Sequence, residues 1–293
     1  MKTILFFALL SSFTLTHAAD IKLPLVHGHR GTRGTRPENT LPAFNEALRV
    51  GVNVLEMDMD VTKDNVVVIS HEPQLVPERC LAPDGKLMDK QVPIHSLTLE
   101  EVKKYDCGSL PNPKFPRQVP VPGTPIPTLD EVFSLVEAST YPAAAAVEFN
   151  IETKIFPAKP ALTPSPAEFA ALVAAVVKKH GMAKRVMVQS FDVRTLKEIK
   201  KIAPEIRTSQ LTDDDLLDIV PALKAAGTDI WSPNSEWVTP EVISEAHAAG
   251  IQVAPWTINT PKEWDMAIAA GVDAIITDYP ADLIEYLKSK QIK

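Results

Sequence analysis

Eight short runs rich in β-branched and apolar residues, at 25–29, 54–61, 145–153, 185–191, 206–211, 229–232, 252–256 and 274–277, alternate along this chain with stretches of helical periodicity. The helical stretches fall at 40–49, 97–104 together with 129–138, 167–179, 193–203, 214–225, 240–249 and 262–270, and a last one at 281–287 follows the final strand. Strands joined by crossover helices run parallel, and eight such units in series predict a closed (β/α)8 TIM barrel. A 293-residue chain is also long enough for two small domains, so length alone does not choose, but it suits one barrel of ~250 residues. One apolar run, 66–70, stands outside the alternation, because only Lys63-Asp64-Asn65 separate it from the second strand. It reads as a short antiparallel hairpin after that strand, with Asp64-Asn65 in the turn. Centring the turn between Lys63 and Asp64 pairs Glu56 with His71 and brings His71 to the face shared by Glu56, Asp58 and Asp60.

The chain begins with one lysine, an apolar run from Ile4 to Leu15 and the small-residue end Thr16-His17-Ala18-Ala19. This is the pattern of a secretory signal peptide, 1–18, cut after Ala18 and leaving 19–293 as the barrel domain. No later segment is long and apolar enough to span a bilayer, so an exported protein, periplasmic or secreted, without stable membrane insertion is expected. A net charge of -7 and a pI near 5.6 provide no basic field for nucleic acid or an anionic membrane. An anionic substrate would have to be held by local charges and a metal. The two cysteines, Cys80 and Cys107, are either a disulfide closing a loop of 27 residues or two buried thiols. Bridged, they would add roughly 3 kcal/mol of stability. Neither has a second zinc ligand at finger-like spacing. Two proline-rich stretches, 111–127 and 156–166, are placed to shape the rim of a barrel mouth.

Chemistry-bearing residues concentrate where a barrel keeps them, at the carboxyl ends of strands. His29 and Arg30 end the first run, Glu56 and Asp58 share a face of the second, and His71 follows the hairpin. On the next strand Glu148, Asn150, Glu152 and Lys154 all point one way, opposite Phe149, Ile151 and Thr153. Buried charge on that scale needs a partner or a metal. Histidine, arginine, two alternating carboxylates and a second histidine are a set that can hold a divalent cation and cleave a phosphate ester, with either Glu148 or Glu152 as the third carboxylate. Arg30 and Lys154 either only pair with those carboxylates or, as expected here, bind phosphate oxygens, while Phe191 and Trp256 read equally as core or as pocket lining. His27, His95, His180 and His247 belong to no motif and read as structural or exposed.

Taken in order, His29-Arg30-Gly31, Pro37-Glu38-Asn39-Thr40, Glu56-x-Asp58 with Thr62-Lys63-Asp64, His71, Asn150-Ile151-Glu152-x-Lys154, Gln189-Ser190-Phe191, Trp256-Thr257-x-Asn259 and Ile276-Thr277-Asp278-Tyr279-Pro280 resemble the glycerophosphodiester phosphodiesterase family. The resemblance covers residues 25–285. It implies hydrolysis of a small-molecule glycerophosphodiester to glycerol 3-phosphate and an alcohol such as choline or ethanolamine. It also implies one divalent cation, Ca²⁺ or Mg²⁺, on Glu56, Asp58 and Glu152, with His29 and His71 as general acid and base. Glu72 stands where the family often has aspartate, and the proline-rich loops exceed those of a minimal member. A sphingomyelinase D-like lyase that stops at a cyclic phosphate is the nearest rival, against which the block at Thr277-Asp278-Tyr279-Pro280 speaks. A non-catalytic exported binding protein would require a lost residue, and none is missing. Neither oligomeric state nor the preferred alcohol is legible.

Overall fold

The computed structural model describes residues 23–214 and 218–291; the expected signal peptide at 1–18 lies outside them, as do residues 215–217 of the helix expected at 214–225. Among the described residues the strands are β1 (Leu25–Gly28), β2 (Val54–Val61), β3 (Val67–Ile69), β4 (Gln74–Leu75), β5 (Val92–Pro93), β6 (Glu148–Thr153), β7 (Val186–Ser190), β8 (Arg207–Thr212), β9 (Ile230–Pro233), β10 (Gln252–Val253) and β11 (Ala274–Thr277). The α-helices are α1 (Leu41–Val50), α2 (Leu99–Val102), α3 (Leu129–Ala138), α4 (Pro166–Lys179), α5 (Val193–Ile202), α6 (Ile219–Ala226), α7 (Pro240–Ala248), α8 (Pro261–Ala270) and α9 (Pro280–Gln291).

Eight strands run parallel in the order β10-β9-β8-β7-β6-β2-β1-β11. The two ends of this sheet meet: the Asp273 N–H donates to Val253 O at 2.9 Å and the Ile276 N–H to Pro255 O at 3.1 Å. The expected barrel is therefore present, closed at this seam by bonds beside the two-residue β10 rather than by a full ladder. Helix starts follow local chemistry. Thr128, Ser165 and Thr260 each accept a bond from the N–H three residues on, and the glutamate there reaches back to the cap. Such reciprocal caps are worth about 1 kcal/mol apiece.

Side-chain alternation sorts each strand into an outer and an inner face. On β2, Leu55, Met57, Met59 and Val61 pack outward with Phe44, Phe133, Phe149 and Phe169 under the helices. The inner face begins with an apolar floor of Val54, Met187, Ile230, Ala254 and Ala274. Above it the inner positions turn polar, with His27, Asn150 and Gln189, and then acidic, with Glu56, Asp58 and Glu152. The ladder also separates the two candidate glutamates of β6. Glu148 sits low on the strand and pairs with Arg207 at 2.5 Å, whereas Glu152 stands beside Asp58.

The hairpin forms as expected, but its register is one residue away from the pairing of Glu56 with His71. Observed partners are Met59 with Ile69, Asp60 with Val68 and Val61 with Val67. Asn65 adopts a left-handed φ of 62°, and the Thr62 N–H bonds to Val66 O, so the loop holds three residues rather than two. The ladder ends at Ile69, and His71 leaves it free of the face constraint. Between β3 and α3 the chain builds an insertion with its own small core of Val68, Leu75, Cys80, Met88, Ile94, Val102 and Ile126. Cys80 and Cys107 form a disulfide within it.

Candidate active site

At the carboxyl end of β1 the chain turns sharply through Arg30 (φ 49°) and Gly31 (φ 83°). A side chain at Gly31 would meet the Ala43 backbone at 2.7 Å, so glycine is needed both for the turn and for its seat on α1. This turn aims the Arg30 N–H at Glu56 Oε2 (2.8 Å) and its Nη1 at Glu38 Oε1 (2.7 Å), and brings its Nε within 3.2 Å of Asp58 Oδ2 without hydrogen-bond geometry. Gln189 donates Nε2–H to Glu56 Oε1 at 2.9 Å, and the Asn39 amide donates to Asp58 Oδ2 at 2.8 Å. Lys154, just past β6, reaches Glu152 Oε1 at 2.7 Å and Asp58 Oδ1 at 3.0 Å.

One oxygen from each of Glu56, Asp58 and Glu152 lies within 4.8 Å of the others. Burial pushes the Glu56 carboxyl well up, with repulsion from Asp58 adding to it. Burial likewise raises Glu152, to about 7, against the pull of Lys154. Burial would raise Asp58 too, but Lys154 and Arg30 outweigh it and hold that carboxyl well down. Two carboxyls pressed toward neutrality around an ionised third mark a centre short of positive charge. An all-oxygen donor set of this spacing can hold a hard divalent cation.

His29 sends Nδ1 to Asp278 Oδ1 at 2.7 Å, which as a carboxylate accepts the ring proton and turns Nε2 toward Glu56, 3.9 Å away. Burial holds this ring's pKa down, to about 4, although Asp278 draws it upward. Asp278 is itself gripped by Arg33 at 2.7 and 3.0 Å and by the Asn259 amide at 2.8 Å. His71 makes the corresponding contact to Glu72 Oε1 at 2.9 Å. That bond is the first cause holding the Glu72 carboxyl down at about 2.

The nine residues singled out in the sequence, His29, Arg30, Glu56, Asp58, His71, Glu152, Lys154, Phe191 and Trp256, all line one cleft of about 210 Å³. Trp256 is fixed by its indole bond to Ser232 O (2.9 Å) and meets Phe191 edge to face at 5.8 Å. Phe191, 49% exposed, forms the lip. Both proline-rich stretches reach the rim, the first through Phe115, on which the Arg33 guanidinium stacks at 4.7 Å, the second through Phe156. Glu38, Asn39, Gln189, Asn259 and Asp278 stand inside the sequence motifs without a part assigned to them there, and Arg33 and Arg79 lie outside the motifs altogether. A buried carboxylate such as Asp278 at the end of the last barrel strand was the available signal, since the last strand closes beside the first.

Carboxylates that leave a buried centre short of positive charge, opening beside an arginine, a lysine and two carboxylate-held imidazoles, define on this barrel an enzyme of the metal-assisted phosphoester hydrolase class. Residues 29–282 match the Glycerophosphoryl diester phosphodiesterase family, and the chain belongs to it. A glycerophosphodiester phosphodiesterase of Caldanaerobacter subterraneus subsp. tengcongensis is 31% identical over 266 residues, covering 90% of this chain and 98% of that one. A solved Silicibacter pomeroyi structure assigned to the same activity superposes with a TM-score of 0.85 at 32% identity, covering 92% of this chain and 94% of that one. A phosphodiesterase from Oleispira antarctica, solved with sn-glycerol-3-phosphate as product, shares the fold at a TM-score of 0.74 and 24% identity, covering 91% and 97%.

Proposed function

We propose that this enzyme hydrolyses glycerophosphodiesters to glycerol 3-phosphate and an alcohol, with His29 and His71 exchanging the protons. The convergence of Glu56, Asp58 and Glu152 beside Lys154 and Arg30 carries this reading. Glu56, Asp58 and Glu152 would hold a Ca²⁺ or Mg²⁺ ion, whose positive charge offsets the negative charge that builds on the phosphoryl oxygens. Arg30 and Lys154 take other phosphate oxygens as charge-assisted donors. One imidazole Nε2 removes the proton of the attacking oxygen while the other donates a proton to the departing alkoxide, so the P–O bond formed and the P–O bond broken balance. The attacking oxygen belongs to water or to the glycerol 2-hydroxyl, and a transient cyclic phosphate marks the second route. Phe191 and Trp256 flank the non-reacting part of the substrate.

The purified protein is expected to release glycerol 3-phosphate from glycerophosphocholine, to lose this on chelation and to regain it with Ca²⁺ or Mg²⁺. No release with any divalent cation would overturn the reading, and a cyclic phosphate as sole final product would move the enzyme to the lyase class. Export fits the same picture, because the disulfide needs an oxidising compartment and the apolar N-terminal run provides a leader. Mass spectrometry of the exported protein should find Ala19 as its first residue, and an intact Met1 would refute that processing.

A further inference from the structure

Arg79 lies outside every motif, does not touch the three carboxylates of the centre, and joins the two arms of the mouth. Its Nη2–H donates to Glu72 Oε1 at 2.8 Å, the same oxygen that accepts the His71 Nδ1–H at 2.9 Å. Its Nη1–H donates to Glu38 Oε1, the oxygen that also accepts from Arg30 Nη1 at 2.7 Å. One guanidinium therefore clamps the carboxylate behind His71 to the carboxylate behind Arg30, two groups from parts of the chain 34 residues apart (72 minus 38). The geometry fits this residue alone. A guanidinium presents two parallel N–H groups to two oxygens, which a single ammonium cannot do with the same spacing. The clamp is also fixed from behind, since Cys80 is bridged to Cys107 and the Leu81 N–H bonds to Asp106 O at 2.7 Å.

His71 needs such an anchor. It stands beyond the end of a strand, its side chain is 31% exposed, and Glu72, its single hydrogen-bond partner among the described residues, is 38% exposed. A lone surface contact of this kind holds a side chain weakly. We propose that Arg79 is a positioning residue for the reaction: it locks Glu72 so that the His71 ring keeps Nδ1–H on the carboxylate and Nε2 on the substrate. The proposal rests on the reading that His71 exchanges a proton in catalysis.

Steady-state kinetics on glycerophosphocholine with Arg79→Gln, Arg79→Lys, Glu72→Gln, the Arg79→Gln/Glu72→Gln double variant and His71→Ala test it. Arg79→Gln is expected to lower kcat by about 5- to 10-fold with KM changed less than about threefold, because a misaligned proton donor or acceptor slows the chemical step without weakening binding. Arg79→Lys should recover part of that loss. In the Glu72→Gln background the Arg79 substitution should cost less than about twofold more, as expected for residues acting in one chain. Full kcat in Arg79→Gln, or losses that multiply in the double variant, would overturn the proposal. If Arg79→Gln does not fold, the lysine variant decides alone, and wild-type kcat in it refutes the clamp. His71→Ala separates the two layers: an active His71→Ala defeats the catalytic reading, whereas an inactive His71→Ala beside a fully active Arg79→Gln defeats only the clamp.

Discussion

His29 and His71 face the same cleft from two kinds of structure. His29 ends a barrel strand, buried, with Asp278 behind it and Arg33 and Asn259 behind Asp278. His29, Arg33 and Asp278 sit in the turns that follow β1 and β11, and Asn259 in the loop after β10, so the closed parallel sheet sets their relative positions. His71 hangs from an insertion whose own core is small, and its support runs outward through Glu72 and Arg79, both partly exposed. One station is fixed by the barrel, the other by ion pairs and a disulfide. The difference teaches that one cleft can seat two imidazoles on unequal supports, one on the barrel and one on an insertion with its own small core.

The comparison breaks first at the rings themselves. Alanine at either histidine should lower kcat by ~10³-fold or more with the melting temperature little changed, and a variant that stays active removes its station from the reaction. Next come the carboxylates behind them. Asp278→Asn should cost about 10²- to 10⁴-fold, as it leaves a buried imidazole and a partly exposed guanidinium without their anion, while Glu72→Gln should cost only about tenfold. Equal losses would mean that burial does not distinguish the two.

Removing the bridge with Cys80→Ser/Cys107→Ser should destabilise by roughly 3 kcal/mol. Hydrogen exchange should show the loss of protection in the insertion, with β2 and β6 still protected. Uniform loss would show that insertion and barrel unfold as one. The smallest effect concerns acid. Burial, with Arg207 adding to it, holds His27 inside the barrel down to about 3. The unfolded chain therefore binds a proton below its ordinary pKa of 6.5 that the folded chain refuses. Stability should fall as pH drops through that value, by about 2 kcal/mol at pH 5. His27→Gln should flatten that part of the melting-temperature profile, and an unchanged slope would clear this histidine.

Much of this was legible in the sequence, for a physical reason: strand side chains alternate and barrels put chemistry at strand ends. Parity along β2 and β6 is enough to align Glu56, Asp58, Glu152 and Lys154 on the inner side of the barrel wall. The place of His71 depends instead on one loop residue. Whether Lys63-Asp64-Asn65 closes as a two- or three-residue turn is decided by Asn65 taking a left-handed backbone, a small local preference. Glu148 and Glu152 are identical in type and parity, and only their height in the barrel separates them. Asp278 meets His29 across 249 residues through sheet closure, and Arg79 meets Glu72 and Glu38 across seven and 41 residues through an irregular loop, and none of these distances leaves a periodic trace.

The barrel's seam has a consequence of its own. Where β10 meets β11, a few backbone bonds stand in for a continuous ladder, and Pro255, lacking an N–H, adds an acceptor there but no donor. Strands so sparsely stitched are where a closed sheet breathes. Amide protons along 252–258 should exchange ahead of those in β2 and β6, and the indole of Trp256, rooted beside the seam, should report each opening as a change in its fluorescence. A transient gap at this side would reach the aromatic flank of the cleft and the Asn259–Asp278 bonds behind His29, whereas the carboxylates on β2 and β6 lie away from it.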